Sequence, residues 1–327
     1  MQFSNSFEKQ IPKINDKTFK SCALDLFKYQ ARQNPVYSRY LEALGIDFKE
    51  VTEYEDIPFL PIEFYKNHAI KSGDWKEKLI FKSSGSTSEN RSQHYVKNLV
   101  VYQQLARKGF EQYYGQLNGY IIAALLPSYL EQGDSSLIAM VKDFISQSNN
   151  TQSGFVKGVG EIELKLNVAR KENKTLLLIG VSYALLDLEW TILGSKNLIV
   201  METGGMKGRR KEMTKTELHN TLKEKFDVKC IHSEYGMTEL LSQAYSKGEG
   251  VFHSPPWMKA VIRDINDPFV RLGFGKAGGI NIVDLANIHT CAFIETRDIG
   301  KVYSDQGFEV LGRMDNSDIR GCNLLMA

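Results

Sequence analysis

At 327 residues the chain is longer than one average domain and short enough to fold as one large α/β unit. Its 42% hydrophobic and 24% charged residues suit an ordinary globular protein, and a formal net charge of +2 excludes a chain-wide pull toward nucleic acid or anionic membrane. No apolar run approaches the ~18 residues of a membrane span, the first ten residues lack a leader pattern, and Cys22, Cys230, Cys291 and Cys322 stand far apart, which predicts reduced thiols in a cytoplasmic protein.

The spacing Phe19, Cys22, Leu26, Tyr29, then Tyr37, Tyr40, Leu44 is helical, so the chain opens as helices. Ile57-Pro58-Phe59-Leu60-Pro61 ends that regime, because each proline disfavours helix in the residue before it. A short apolar run, Leu79-Ile80-Phe81, leads into a Ser-rich stretch, and helix is predicted from Asn98 to Tyr114. Tyr120 to Pro127 is a continuous apolar run stopped by proline, the pattern of a strand buried on both faces. Helix then follows from Leu137 to Ser146, strand from Thr175 to Ser182 and helix from Tyr183 to Leu193. Strand is predicted from Lys196 to Gly205, helix from Thr214 to Phe226 with Thr214 or Thr216 as N-cap, and strand from Val228 to His232. Such alternation predicts a parallel sheet with helices on both faces and ligands at the carboxyl ends of its strands. Beyond Tyr245 the runs shorten between Gly248, Gly250, Pro255 and Pro256, as in a smaller β-rich lobe. The expected division is a helical segment 1–75, an α/β region 76–245 and a β-rich lobe 246–327, together one core.

Three polar stretches carry the chemistry. Lys82-Ser83-Ser84-Gly85-Ser86-Thr87-Ser88-Glu89-Asn90-Arg91-Ser92 is mostly small and hydroxylated. Gly85 reaches backbone angles barred to other residues, and successive N–H groups in such a turn form a concave anion site, with Lys82 and Arg91 adding charge. The spacing is not that of a Walker loop, and a solvated surface loop is the plain alternative. Glu202-Thr203-Gly204-Gly205-Met206-Lys207-Gly208-Arg209-Arg210 offers a glycine pair able to lie flat against a planar ligand, followed by basic residues that also read as a surface charge run. Ser233-Glu234-Tyr235-Gly236-Met237-Thr238-Glu239-Leu240 brings an aromatic face, a glycine, a hydroxyl and a carboxylate close together. Stacking, close approach, a phosphate hydrogen bond and Mg²⁺ ligation need those types.

On these stretches the chain resembles the acyl-protein synthetases of the LuxE type, relatives of phenylacetate–CoA ligase within the adenylate-forming enzymes. Ser83-Ser84-Gly85-Ser86-Thr87-Ser88 is similar to that superfamily's phosphate loop, and Tyr235-Gly236-Met237-Thr238-Glu239 to its Tyr-Gly-x-Thr-Glu motif. The resemblance implies that Tyr235 packs on adenine, Thr238 meets phosphate and Glu239 helps to hold Mg²⁺, while Gly204-Gly205 flanks the adenine. Thr296-Arg297-Asp298 resembles a motif whose aspartate holds the ribose hydroxyls, with Arg297 where the family has glycine. Gly312-Arg313-Met314-Asp315, followed by Arg320-Gly321, resembles the hinge motif and brings Arg313 into the catalytic set. The implied fold class is α/β: the N-terminal core of an adenylate-forming enzyme, parallel sheets flanked by helices plus a small β-rich lobe, without the mobile C-terminal domain. That domain, ~100 residues long, supplies an adenylation lysine. Here twelve residues follow Asp315, no equivalent lysine is assignable, and Lys82 and Arg91 are the candidates to replace its charge.

LuxE-type enzymes are likewise short and carry an acyl-accepting cysteine near the C-terminus, a placement matched by Cys322, with Arg320 beside it to lower its pKa. The implied reaction uses ATP and Mg²⁺ to turn a fatty or other carboxylic acid into acyl-AMP, passes the acyl group to Cys322 as a thioester, and hands it to a partner reductase or transferase. Neither nucleic acid nor a membrane span is implied. Val181, Tyr183, Ala184 and Leu185, with Pro255-Pro256-Trp257, are candidates for an acyl channel, against ordinary core packing. Competing readings are an acyltransferase fed by a thioester carrier without ATP, and a non-catalytic nucleotide-binding subunit. A serine hydrolase is suggested by Gly180-Val181-Ser182, although the elbow G-x-S-x-G lacks its second glycine at Ala184. His232 and His253 read as structural.

Overall fold

The computed structural model describes residues 2–83, 91–127, 133–190, 196–204 and 213–314. Helices open the chain as the apolar spacing predicts: α1 (Gln2–Gln10), α2 (Asp16–Gln33) and α3 (Pro35–Ala43). Asn15 starts α2 through a capping box with Thr18. Asn34 closes α2 and caps α3, and Pro35 at the first position of α3 has no N–H to continue the earlier helix. β1 (Leu60–Pro61) and α4 (Phe64–Asn67) follow. The hairpin β2 (Leu79–Lys82) and β3 (Gln93–Val96) then brackets the Ser-rich stretch, and α5 (Leu99–Tyr114) leads to the main sheet.

The main sheet is built from β4 (Tyr120–Leu125), β5 (Gly154–Phe155), β6 (Thr175–Val181), β7 (Leu198–Thr203), β8 (His232–Tyr235) and β9 (Ala244–Ser246). Their spatial order is β5-β4-β6-β7-β8-β9, parallel throughout except that β9 runs antiparallel to β8. Every residue of β4 is buried, which is why that run reads as continuously apolar. The connections carry α6 (Ser136–Gln147), α7 (Val159–Lys171), α8 (Ser182–Asp187) and α9 (Lys215–Phe226). Thr214 is the N-cap of α9, in a capping box with Glu217.

The structure corrects two boundaries. α8 ends at Asp187, short of Leu193. The strand expected to end at His232 begins there instead, because pairing starts at Met201↔His232 and residues 228–231 are used in crossing from α9. Tyr235, the first residue of the Tyr-Gly-x-Thr-Glu stretch, is therefore held in the sheet.

A second sheet contains β10 (Val251–Phe252), β11 (Met258–Arg263), β12 (Gly278–Asp284), β13 (Phe293–Val302) and β14 (Phe308–Arg313), in the order β10-β14-β13-β12-β11, with β1 beside β13. Fully buried Gln30 of α2 fastens the helical segment to it: its Nε2 donates to the Asn287 carbonyl at 2.8 Å, and its Oε1 accepts from the Ala292 N–H at 2.9 Å. Phe27 adds an edge contact with Phe293, centroids 5.8 Å apart.

Candidate active site

At the carboxyl ends of β6, β7 and β8 the chain leaves the sheet at Ser182, Gly204 and Gly236. Gly204 takes a left-handed φ of +67°, and its carbonyl accepts from Ser182 Oγ at 3.0 Å. At Gly236 a Cβ would stand 2.5 Å from Glu234 Oε1, so a larger residue there would require that carboxyl to shift.

Tyr235 and Asp298, far apart in the chain, meet here: the tyrosine hydroxyl donates to Asp298 Oδ2 at 2.8 Å. The ring meets Phe308 edge-on at 5.2 Å and Phe252 at 5.7 Å. Arg313 pairs in register with Asp298 across β13 and β14, its Nε 4.0 Å from Oδ1 and most of its side chain exposed. Burial raises the Asp298 carboxyl above its usual range, against the opposing pull of Tyr235 and Arg313. Burial first, and Asp298 next, push the Tyr235 phenol well above its ordinary value. Thr296 Oγ1 accepts the Asp298 N–H at 3.1 Å and donates to the Ile280 carbonyl at 2.7 Å, which sets the aspartate's backbone. Arg297, the departure from the family pattern, is paired with Glu63 ahead of α4.

At the Ser-rich stretch, Ser83 and Ser92 close the stem. The Ser92 N–H donates to Ser83 Oγ at 3.0 Å, and the Ser83 N–H to the Ser92 carbonyl at 3.1 Å. The Ser92 side chain is among the groups that favour the ionised form of the Glu239 carboxyl. Glu239 is buried, which raises its carboxyl, with Ser92 and Arg313 among the opposing influences. His94 Nδ1 lies 2.9 Å from the Thr238 carbonyl, and Asn287 Nδ2 donates to the Glu239 carbonyl at 2.9 Å. Lys82 and Arg91 share one acidic partner. Asp134 takes both, with Lys82 Nζ at 3.7 Å and Arg91 Nη2 at 3.2 Å, and Arg91 also donates to the carbonyls of Ser83 and Lys82. Ser84, Gly85, Ser86, Thr87, Gly205 and Cys322 lie outside the described residues.

Between these segments sit two buried carboxyls that the sequence reading leaves unassigned. Glu202 accepts from Lys215 Nζ, and from Ser182 Oγ at 2.9 Å. Burial alone would raise it, yet Lys215 with His219 and Ser233 holds it down to about 2. Glu234 accepts from Thr203 Oγ1, and burial drives its carboxyl up to about 7. Neighbouring strand ends thus hold one ionised and one protonated acid at mildly acidic pH, a pairing that sequence signals only as two glutamates beside two glycines.

The hydrolase reading fails on Ser182. Its hydroxyl is buried and shared between Glu202 and the Gly204 carbonyl, with no histidine bonded to it among the described residues. Val181, Tyr183, Ala184, Leu185 and Trp257 are buried core, and the Trp257 indole donates to Ser242 Oγ at 2.9 Å. His232 is held by the Tyr114 hydroxyl at 3.1 Å.

Among the described residues no three His, Cys, Asp or Glu side chains group to hold a metal. A magnesium ion on a nucleotide needs only one or two carboxylates beside the phosphates. Glu239, whose buried carboxyl a cation would stabilise, fits that requirement.

No protein-family model matches the sequence, and no curated protein matches it. The fold is that of the N-terminal core of the adenylate-forming enzymes. The chain is similar to 2-hydroxyisobutyryl-CoA ligase (HCL), solved in an open conformation with 2-HIB-AMP and CoA. That match has a TM-score of 0.62 and 11% identity, over 92% of this chain and 70% of the ligase. It is also similar to ATP-bound MatB from Rhodopseudomonas palustris, with a TM-score of 0.52 and 16% identity over 75% of this chain. The match takes in 50% of MatB, so the chain spans half the length of that relative.

Proposed function

We propose that the chain is an adenylate-forming enzyme, converting a carboxylic acid and ATP into acyl-AMP and pyrophosphate. The observation that carries this reading is the convergence of the motif segments. Ser83 bonds Ser92, whose side chain influences the Glu239 carboxyl, Tyr235 bonds Asp298 directly, and Gly204 follows the strand that pairs with that of Tyr235. The fold shared with a ligase solved with 2-HIB-AMP supports it.

A carboxylate is a poor acyl donor because its leaving group would be an oxide. Attack of its oxygen on the α-phosphate forms a new P–O bond, breaks the bond to the β-phosphate and releases pyrophosphate. The enzyme's share is positioning and charge neutralisation. Tyr235 packs on adenine beside Gly204, Gly205 and Gly236, and Asp298 takes the ribose hydroxyls. Thr238 and the loop of Ser83, Ser84, Gly85, Ser86 and Thr87 hold phosphate oxygens, and exposed Arg313 adds positive charge at the rim. Glu239 would hold Mg²⁺, which supplies neutralisation of the phosphates.

The finer assignment rests on the resemblance to LuxE-type synthetases: the acid is fatty, and Cys322 takes the acyl group. The thiolate forms the thioester, AMP leaves, and a reductase or transferase collects the product. ATP–pyrophosphate exchange with a panel of carboxylic acids tests the first step. Acid-dependent exchange is expected; none with any acid, alongside acylation from thioester donors, would replace adenylation with simple acyl transfer. Intact mass after incubation with ATP and acid tests the second, with Cys322→Ser expected to lose the adduct and keep the exchange.

A further inference from the structure

We propose that His94, acting with Ser92 on the same strand face, is a positioning residue that sets the Thr238 and Glu239 groups against the stem of the phosphate loop. This rests on the adenylating reading above and adds to it a part of the site that no motif contains.

Thr238 and Glu239 lie in neither helix nor strand. Within their turn the Leu240 N–H closes on the Met237 carbonyl at 3.2 Å, so the turn's orientation depends on contacts from outside it. β3 supplies those contacts. Side chains two apart on a strand share a face, and Ser92, just before β3, and His94 within it point the same way. His94 bonds the Thr238 carbonyl at 2.9 Å, and the Ser92 side chain is among the groups that favour the ionised form of the Glu239 carboxyl. The same stretch is locked to β2 through Ser83↔Ser92 bonding and the Phe81↔His94 register pair. One stretch of chain therefore carries both the base of the phosphate loop and the turn that presents the phosphate and magnesium ligands.

The imidazole is placed to transmit position rather than protons. It is fully buried, with the Tyr65 ring 5.9 Å away and Thr290 Oγ1 3.4 Å from Nε2. A carbonyl only accepts, so Nδ1 carries the proton toward Thr238 and Nε2 is left to accept from the Thr290 hydroxyl. Both nitrogens are used, and the ring orientation is fixed. A core histidine of merely structural value would not need its Nδ1 contact aimed at the turn of Thr238 and Glu239.

The test uses pyrophosphate exchange by the full chain, with kcat and KM for ATP and acid resolved, and a urea midpoint for each variant. In His94→Asn the amide nitrogen takes the place of Nδ1–H and still reaches the Thr238 carbonyl. In His94→Gln the amide extends to the Nε2 position and leaves that carbonyl without its donor. The expected result is kcat within about threefold of wild type for the asparagine variant and roughly 10–100-fold lower for the glutamine variant, with KM for the acid nearly unchanged. Equal kcat in the two variants at matched urea midpoints would reduce His94 to a core filler. Should neither variant fold, Ser92→Ala decides: a loss in kcat of about tenfold or more, without change in KM for the acid, supports the strand-face link, and an unchanged kcat removes it. Wild-type protein with no exchange on any acid overturns the adenylating reading and this inference together, an outcome distinct from active wild type with indifferent variants.

Discussion

Glu234→Gln isolates a titration created entirely by the fold. The carboxyl of Glu234 is buried beneath Gly236, takes a hydrogen bond from Thr203, and lies near the ionised Glu202. Burial, opposed by Thr203 and reinforced by Glu202, raises it from 4.5 to about 7. The folded state therefore keeps a proton that the unfolded chain has released. Stability from this group is full below about pH 4.5, is lost as pH rises to about 7, and is flat above that. Raising the carboxyl from 4.5 to about 7, at about 1.4 kcal/mol per pH unit, makes the loss about 3 kcal/mol. Glutamine keeps a carbonyl for Thr203 to bond and has nothing to ionise. Urea unfolding of both proteins from about pH 4.5 to about 8.5 at constant ionic strength should show the stability difference moving by about 3 kcal/mol in favour of the variant. A difference that stays constant across that range would refute the claim that burial controls this carboxyl.

Two other substitutions probe the same strand ends. Lys215→Met strips the cation from buried Glu202, and breaking a buried pair from one side costs about 3–5 kcal/mol at neutral pH. Because Glu202 is held down to about 2, the pair's contribution is present above pH 4.5 and fades as pH falls toward 2, so the urea-measured penalty should shrink in acid; a neutral-pH loss below about 1 kcal/mol would contradict the pairing. Tyr235→Phe removes the hydroxyl that donates to Asp298, a bond to a chargeable acceptor worth about 1.5–3 kcal/mol, and unchanged urea stability would show that Arg313 suffices.

Much of the α/β alternation was legible because burial on both faces leaves a direct mark: β4 and β6 are continuous apolar runs. The boundary at His232 was not, since Val228, Cys230 and Ile231 are residues that a strand also uses, while here they serve only as a crossing. The Tyr235, Asp298 and Ser83 segments could be found as local patterns. The pairing of Lys82 and Arg91 with Asp134 left no local pattern, because Asp134 lies beyond α5 and β4 in the chain. His94 left no pattern at all: a lone histidine in a short strand carries no sign of the turn that its ring will meet.

By itself the sequence determined the period of each element and the residue types at the strand ends, since these follow from local backbone geometry and from which side chains tolerate burial. The tertiary structure decided what those residues do. It joined Tyr235 to Asp298, and it gave Glu202 and Glu234 different charge states on adjacent strands by bonding Lys215 to the first and burying the second. Electrostatic environment is set by distance in space, and neighbours contributed from remote parts of the chain have no imprint on the spacing of the residues they surround.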